Sequence, residues 1–448
     1  MACIAPFRAL RYDPSRVNPS KAITQPYDKI TPEMQERYYA ASPHNIVRII
    51  LGKVAANEPE GKVYQRAADF FRTWRAEGIF RQDQEPSLYS YSQRFTLPGG
   101  TAPLERRGFI ALGHIEDYSA GIIFRHEQTL AKPKADRLQL LRSTQAHFGQ
   151  IFMLYSDSGE IESLLATEAA PDTEVVDEYE VLHQVWKISE PTTIAAVRRK
   201  MEDKKLIIAD GHHRYETALA YRNECRMARE RDFTPARWHA ASTASRLLEQ
   251  GEEAPYEWGM MTFVNINSPG LVILPTHRVV HGLASFSITN FLNQARDYFS
   301  AEELDGRVDA RGALSLLQQA NRSGTRLVAV MRERDILLHT PHAGAELFEG
   351  LSKRQQALDI VQLHRVVLEH ILGLSEESIR NQQNIRYVRD AAEAVQRVRD
   401  GLADVAFLMN PVGIGQLSDI AFQGEVLPQK STDFYPKLLT GLAMYALT

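Results

Sequence analysis

The stretch Lys205 to Glu224, KLIIADGHHRYETALAYRNE, most constrains what this chain can fold into. Four apolar residues, Leu206 to Ala209, run straight into Asp210-Gly211-His212-His213-Arg214, and a helical pattern then continues to about Arg231. A buried strand over Lys205 to Ala209 is expected, followed by a tight turn and a helix that starts within two residues of Arg214. Glycine at 211 permits the turn and a close backbone approach. The start of a helix presents unpaired N–H groups and the positive end of the helix dipole, which together attract anions. His212, His213 and Arg214 add side-chain donors, and arginine can hold a phosphate through two parallel bonds. A polar loop that merely caps a helix is the competing reading. Five consecutive functional-type residues after a buried strand, four of them with polar side chains, favour a phosphate-cradling loop.

A strand that feeds a helix this abruptly belongs to a mixed fold, and the rest of the chain agrees. Thr31-Pro32 opens a helix over Thr31 to Tyr39, with Thr as N-cap and Pro at the first helical position. Val63 to Glu77 has apolar residues at helical spacing and closes at Gly78. Leu88 to Phe95 and Arg107 to Ile115 read as strands split by the turn Leu97 to Gly100. RLQLLRSTQAHF, 137–148, is expected to be a helix and QIFMLYS, 150–156, a strand. LVILPTHRVV, 271–280, is expected to be one strand, Leu358 to Leu372 a helix, and DVAFLMNPV, 404–412, a buried strand. The fold class is α+β, a mixed α/β pattern without a clean linker. Trp74, Trp186 and the tyrosines at 89 and 91 read as core, and His364 and His370 as surface or satisfied histidines on an apolar helix.

With 448 residues and 44% hydrophobic composition, the chain can bury a full core without staples. Its two cysteines, Cys3 and Cys225, lie far apart and in no metal-type spacing, so a reducing cytoplasm is the expected location. The N-terminus lacks a signal-peptide apolar region, and no apolar run approaches the roughly 18 residues of a membrane helix. The net charge of −4 argues against bulk electrostatic binding to nucleic acid.

Two further segments carry functional side chains. Arg125-His126-Glu127-Gln128-Thr129 places a His-Glu pair in a loop ahead of a helix, where it can supply a general base or a metal ligand. Pro428-Gln429-Lys430-Ser431-Thr432-Asp433-Phe434-Tyr435-Pro436-Lys437 offers an ammonium and two hydroxyls, although the glycines of a P-loop are missing before Lys430. By residue types alone, a turn with Ser/Thr caps suits this tail better.

PFRAL at 6–10, HEQT at 126–129, ADGHHRYETAL at 209–219 and PQKSTDFYPK at 428–437 resemble a bacterial and archaeal family of uncharacterised proteins, a domain of unknown function, over nearly the full chain. That family implies no reaction. More distantly, the order His-Glu loop, helix, strand, DGHHR, helix over roughly residues 106–232 is similar to the ParB/sulfiredoxin-like fold, nearest in motif to free serine kinases. The resemblance implies a core at 106–232 with an insertion at about 156–204, an N-terminal α/β region at 1–105 and a C-terminal α/β extension at 233–448.

It also implies residue roles. Asp210, Gly211, His212, His213 and Arg214 match the phosphate loop of those proteins, and Glu127 matches the acid that acts on the serine hydroxyl. The expected function is a nucleotide-dependent phosphotransferase acting on a small hydroxyl compound, with free serine as the acceptor. Glu127, His126 and Asp210 are its catalytic candidates, ATP or ADP the nucleotide, and Asp210 the ligand of Mg²⁺. Because the tail shares the full-length pattern, Lys430, Ser431 and Thr432 join the expected phosphate site. A divalent-metal hydrolase using His126, Glu127, Asp210, His212 and His213 is the first alternative. A non-enzymatic nucleotide-gated switch is the second.

Overall fold

A computed structural model of the chain describes residues 2–129, 131–232, 253–318 and 324–448. The expected boundary at 232/233 adjoins residues outside this set. The chain forms two compact units. The first comprises Met1–Phe124, Thr129–Val272 and Pro436–Thr448, and the second Arg125–Gln128 and Ile273–Tyr435. Helices and strands alternate in both, which makes the protein a mixed α+β fold.

The first unit is built on a nine-stranded mixed sheet. Its strands are β1 (Ile4–Ala5), β2 (Leu88–Thr96), β3 (Pro103–His114), β4 (Ile123–Phe124), β5 (Ile151–Tyr155), β6 (Thr173–Val176), β7 (Leu182–Ile188), β8 (Leu206–Asp210) and β9 (Trp258–Asn265). The spatial order is β4-β8-β5-β9-β3-β2-β7-β6, with β1 beside β3. β2 and β3 form the expected hairpin, with Tyr89 opposite Ile110 and Phe95 opposite Leu104. Every residue of β5, IFMLY, is buried, as a central strand covered on both faces requires.

Helix α1 (Lys62–Ala76) turns Ala67, Phe71 and Trp74 inward at helical spacing. Burying Phe71 alone is worth about 1.5–3 kcal/mol. The core of the unit gathers Phe109, Met153, Ile208, Tyr215, Met261 and Phe263.

The join legible in the sequence sits at the edge of this core. β8 pairs antiparallel with β5, with Ile208 opposite Met153 and Asp210 opposite Phe152. The register slips between those two pairs, a bulge that re-aims the strand end. Helix α3 (Pro191–Met201) precedes β8, and the next helix, α4 (His212–Asp232), begins two residues before Arg214, as expected. Helix α2 (Ala131–Thr144) begins and ends earlier than its sequence suggests. Gln145 adopts a left-handed φ of 49°, and Ala146–His147 instead pair as a short strand with Tyr445–Ala446.

The second unit carries a six-stranded, fully antiparallel sheet. Its strands are β10 (His277–Val280), β11 (Phe299–Glu303), β12 (Arg326–Met331), β13 (Asp335–Pro341), β14 (Ile385–Val388) and β15 (Val405–Met409), in the order β11-β13-β12-β15-β10-β14. Val279, Val328, Ala394, Val398 and Leu408 lie in its core. The single strand expected over 271–280 is two, Val272–Leu274 and His277–Val280. Pro275 lies between them and cannot donate to a ladder. The helix expected over Leu358 to Leu372 is α-helical only over Asp359–Gln362 and continues as a π-helix over Leu363–Ile371.

Candidate functional site

In the first unit the phosphate-loop residues form one compact turn. Gly211 has φ +91°, a left-handed conformation that favours glycine, and a Cβ there would press on the end of the Arg214 side chain at 2.9 Å. The Gly211 N–H donates to Asp210 Oδ1 at 2.8 Å, and the Tyr215 N–H donates to the Gly211 carbonyl at 2.9 Å, closing the first turn of α4. Arg214 donates through Nη1 to the Gln150 carbonyl just before β5. His212 is buried and His213 half-buried.

Lys437 completes this turn, although sequence reasoning did not select it among the tail residues. Its Nζ lies 3.2 Å from Asp210 Oδ2. The backbone there is clamped from below. Gln93 Nε2 donates to the Lys437 carbonyl at 2.8 Å, and Arg106 Nη2 donates to the Pro436 carbonyl at 2.5 Å. Arg106 Nε in turn donates to Gln93 Oε1 at 3.0 Å, and the guanidinium sits 4.8 Å from the Phe152 ring centroid. Gln93 and Arg106 are each only 1% exposed, so this clamp is part of the interior. Burial acts to raise the Asp210 carboxyl, but Lys437, Arg214 and Lys29 outweigh it and hold the group well below the usual carboxylate range. Asp210 therefore stays ionised, ringed by cations.

Arg214 also lines a cleft with Tyr27, Arg137, His147, Thr217 and Thr440. Thr217 is buried and its Oγ1 has no hydrogen-bond partner among the described residues. Arg137 stacks over the Tyr27 ring at 4.2 Å. Burial pulls the His147 imidazole down to about 4, so it is neutral at pH 7. The cleft thus joins an uncharged, largely apolar wall to arginine.

The other selected residues belong to the second unit. His126 and Glu127 run beside the tail: the Leu427 N–H donates to the His126 carbonyl at 2.8 Å, and Glu127 bridges Leu427 in parallel. Glu127 Oε1 accepts the Lys430 N–H at 3.3 Å. His126 is fully buried, with Nε2 2.8 Å from Thr432 Oγ1. Ser431 donates to the Pro428 carbonyl at 2.5 Å, a local turn bond. Lys430 has a left-handed φ of 57°, and Arg278 Nη2 donates to its carbonyl at 3.0 Å. Arg278 is itself buried and lies 5.1 Å from the Tyr387 ring centroid. Hence Asp210 to Arg214 come together in one unit, and His126, Glu127, Lys430, Ser431 and Thr432 in the other. Among the described residues no group of three or more His, Cys, Asp or Glu is placed to hold a metal ion, so the hydrolase alternative finds no ligand cluster there. No helix among them is long and apolar enough to cross a membrane.

A family described as "Protein of unknown function (DUF1015)" matches residues 4–346. The chain belongs to that family. No curated protein sequence matches it significantly. Among solved structures it is similar to a free serine kinase in complex with AMP, at 12% identity and TM-score 0.32, covering 70% of this chain and 83% of that one. SbnI with a C-terminal truncation from Staphylococcus aureus matches at 8% identity and TM-score 0.34, covering 74% and 85%. A conserved hypothetical protein from Pyrococcus furiosus matches at 11% and 0.33, covering 71% and 89%.

Proposed function

We propose that this DUF1015 protein is a nucleotide-dependent phosphotransferase acting on a small hydroxyl compound, with ATP or ADP as the nucleotide and free serine as the acceptor. The observation that carries this reading is the turn at Asp210–Arg214, where a left-handed glycine, a helix start, Arg214, Lys437 and Lys29 converge. The first N–H groups of a helix have no partner within it and point outward at an anion. Phosphoryl transfer asks mostly for positioning and charge neutralisation, which such a turn supplies. The cleft beside Arg214 takes the uncharged part of the nucleotide.

Each selected side chain then has a task. In the first unit His212, His213 and Arg214 bind phosphate oxygens; in the second, Lys430, Ser431 and Thr432 offer a charge and hydroxyl donors. Glu127 accepts the acceptor's hydroxyl proton as that oxygen bonds to the nucleotide's terminal phosphorus and the bond from this phosphorus to the bridging oxygen breaks, releasing the nucleotide one phosphate shorter, and His126 positions the Glu127 segment through Thr432. Asp210, kept ionised by its cationic neighbours, is the residue that would hold Mg²⁺, whose contribution when bound is to neutralise phosphate charge. The reading fits a cytoplasmic protein whose partners are a nucleotide and a small molecule.

A thermal-shift panel of ATP, ADP, AMP and GTP, with and without Mg²⁺, tests it. A ligand held only by the folded state raises the unfolding temperature. A rise with at least one adenine nucleotide is expected, and a flat panel at millimolar ligand overturns the proposal.

A further inference from the structure

The histidine that the sequence pattern assigns to a surface or satisfied role is neither exposed nor satisfied. His364 is 6% exposed, and its Nε2 has no hydrogen-bond partner among the described residues. It lies in the π-helix Leu363–Ile371, where the Leu372 N–H reaches the Val367 carbonyl five residues back at 2.9 Å. π-Helical turns are costly and recur at functional sites. His364 lines a cavity of about 180 Å³ within the second unit. Leu427, Pro428 and Gln429 form one wall of it, and Gln128 another part of the lining. These residues flank Glu127, which bridges Leu427. Burial, with Arg278 and Arg365 nearby, drives the His364 imidazole well below its usual range, so it is neutral at pH 7.

The charged lining is balanced. Arg365 pairs with Glu369 at 2.8 Å and Arg380 with Glu376 at 2.6 Å, and all four side chains line the cavity. A net anion or a net cation would meet an equal charge of its own sign there. A small zwitterion finds a partner for each end. A neutral imidazole can donate one N–H to a carboxylate without the cost of burying a second charge.

We infer that this cavity holds the headgroup of a small α-amino acid, with Arg365, Arg380 and the His364 N–H taking its carboxylate and Glu369 and Glu376 its ammonium. The side chain of the ligand then extends along the Leu427–Gln429 wall. The inference rests on the phosphotransferase reading only in calling this ligand the acceptor. The binding itself is independent of nucleotide.

Calorimetric titration of L-serine and, separately, ADP into the full chain tests it, using the wild type, His364→Phe and the double variant Arg365→Ala, Arg380→Ala. Both arginine side chains are well exposed, at 38% and 48%, so the double variant should fold even if His364→Phe does not. The expected result is L-serine affinity reduced about tenfold or more in the variants, with ADP affinity unchanged. L-Alanine, which keeps the headgroup, should bind the wild type and be weakened in parallel. Wild-type protein that binds ADP but no amino acid overturns this inference and leaves a phosphotransferase with another acceptor. Equal L-serine affinity in wild type and double variant overturns it as well. Binding of L-serine together with a flat response to ATP, ADP, AMP and GTP supports the cavity assignment and removes the phosphotransferase reading instead.

Discussion

The turn at Asp210–Arg214 and the turn at Pro428–Lys430 beside Glu127 are both polar loops with a left-handed residue and a buried arginine on a backbone carbonyl, yet the groups they bring together differ. The first is fixed from inside its unit by side chains. Arg106 and Gln93, both buried, clamp Pro436 and Lys437, and Lys437 meets Asp210. The second is fixed by one main-chain bond, from the Leu427 N–H to the His126 carbonyl, and by two side chains, Glu127 accepting the Lys430 N–H and buried Arg278 donating to the Lys430 carbonyl. Its left-handed position is a lysine rather than a glycine. A left-handed non-glycine residue costs roughly 1 kcal/mol. The first turn is therefore a preorganised electrostatic site whose parts depend on buried partners. The second is a turn from which only Lys430 is exposed, so that side chain can be changed at little cost to the fold.

Four substitutions test this contrast. Arg106→Leu should have the largest effect. It strips donors from Gln93 Oε1 and the Pro436 carbonyl within the interior, and a loss of about 2–5 kcal/mol is expected in urea unfolding. A loss below about 1 kcal/mol would mean that the clamp does not hold the tail. Gly211→Ala forces a side chain into a left-handed conformation beside Arg214. ADP binding weaker by about tenfold, with a stability loss of about 1–2 kcal/mol, is expected from calorimetry and unfolding curves; unchanged affinity would dissociate the turn from nucleotide binding.

Lys437→Ala separates the electrostatic part. The depressed Asp210 carboxyl gives stability that is fully present above its unfolded pKa, near 3.9, and is lost as pH falls from there toward the folded value. Without Lys437 the folded value rises toward the unfolded one and that contribution shrinks. Unfolding free energy measured from pH 7 to pH 2 should therefore show a wild-type advantage above about pH 4 that fades in acid. Parallel curves would remove the ion pair from the account. The smallest effect belongs to Lys430→Ala, with ADP affinity about threefold lower at low salt, less at high salt, and no change in stability. A null result would remove Lys430 from nucleotide binding.

What the sequence disclosed follows the range of the contacts. The β8–Gly211–α4 join is local, so an apolar run, one glycine and a helix pattern were enough to find it. Lys437 lies 227 positions from Asp210, and no local period reports such a pairing. The tail drew attention only through its resemblance to a family, and the residues selected from it were the Lys-Ser-Thr trio rather than the lysine that reaches Asp210. His364 was misread for a different reason. An amphipathic pattern assumes 3.6 residues per turn, and the π-helix breaks that assumption over Leu363–Ile371. The strand expected over 271–280 failed at its own proline, a signal present in the sequence but outweighed by its apolar flanks.

The way the chain is divided also sets an order of manufacture. Residues 125–128 belong to the second unit while their neighbours on both sides belong to the first, and the first unit takes back the chain at Pro436. Domains usually fold as units while synthesis proceeds from the N-terminus. Here the His126–Glu127 strand waits some 300 residues for Leu427, and Ala146–His147 wait about as long for Tyr445–Ala446. No stalled ribosome carrying the first 400 residues could display either unit finished. The nine-stranded sheet has all its strands once Asn265 is made, whereas the stretch that delivers Lys437 follows its partner Asp210 by 227 residues.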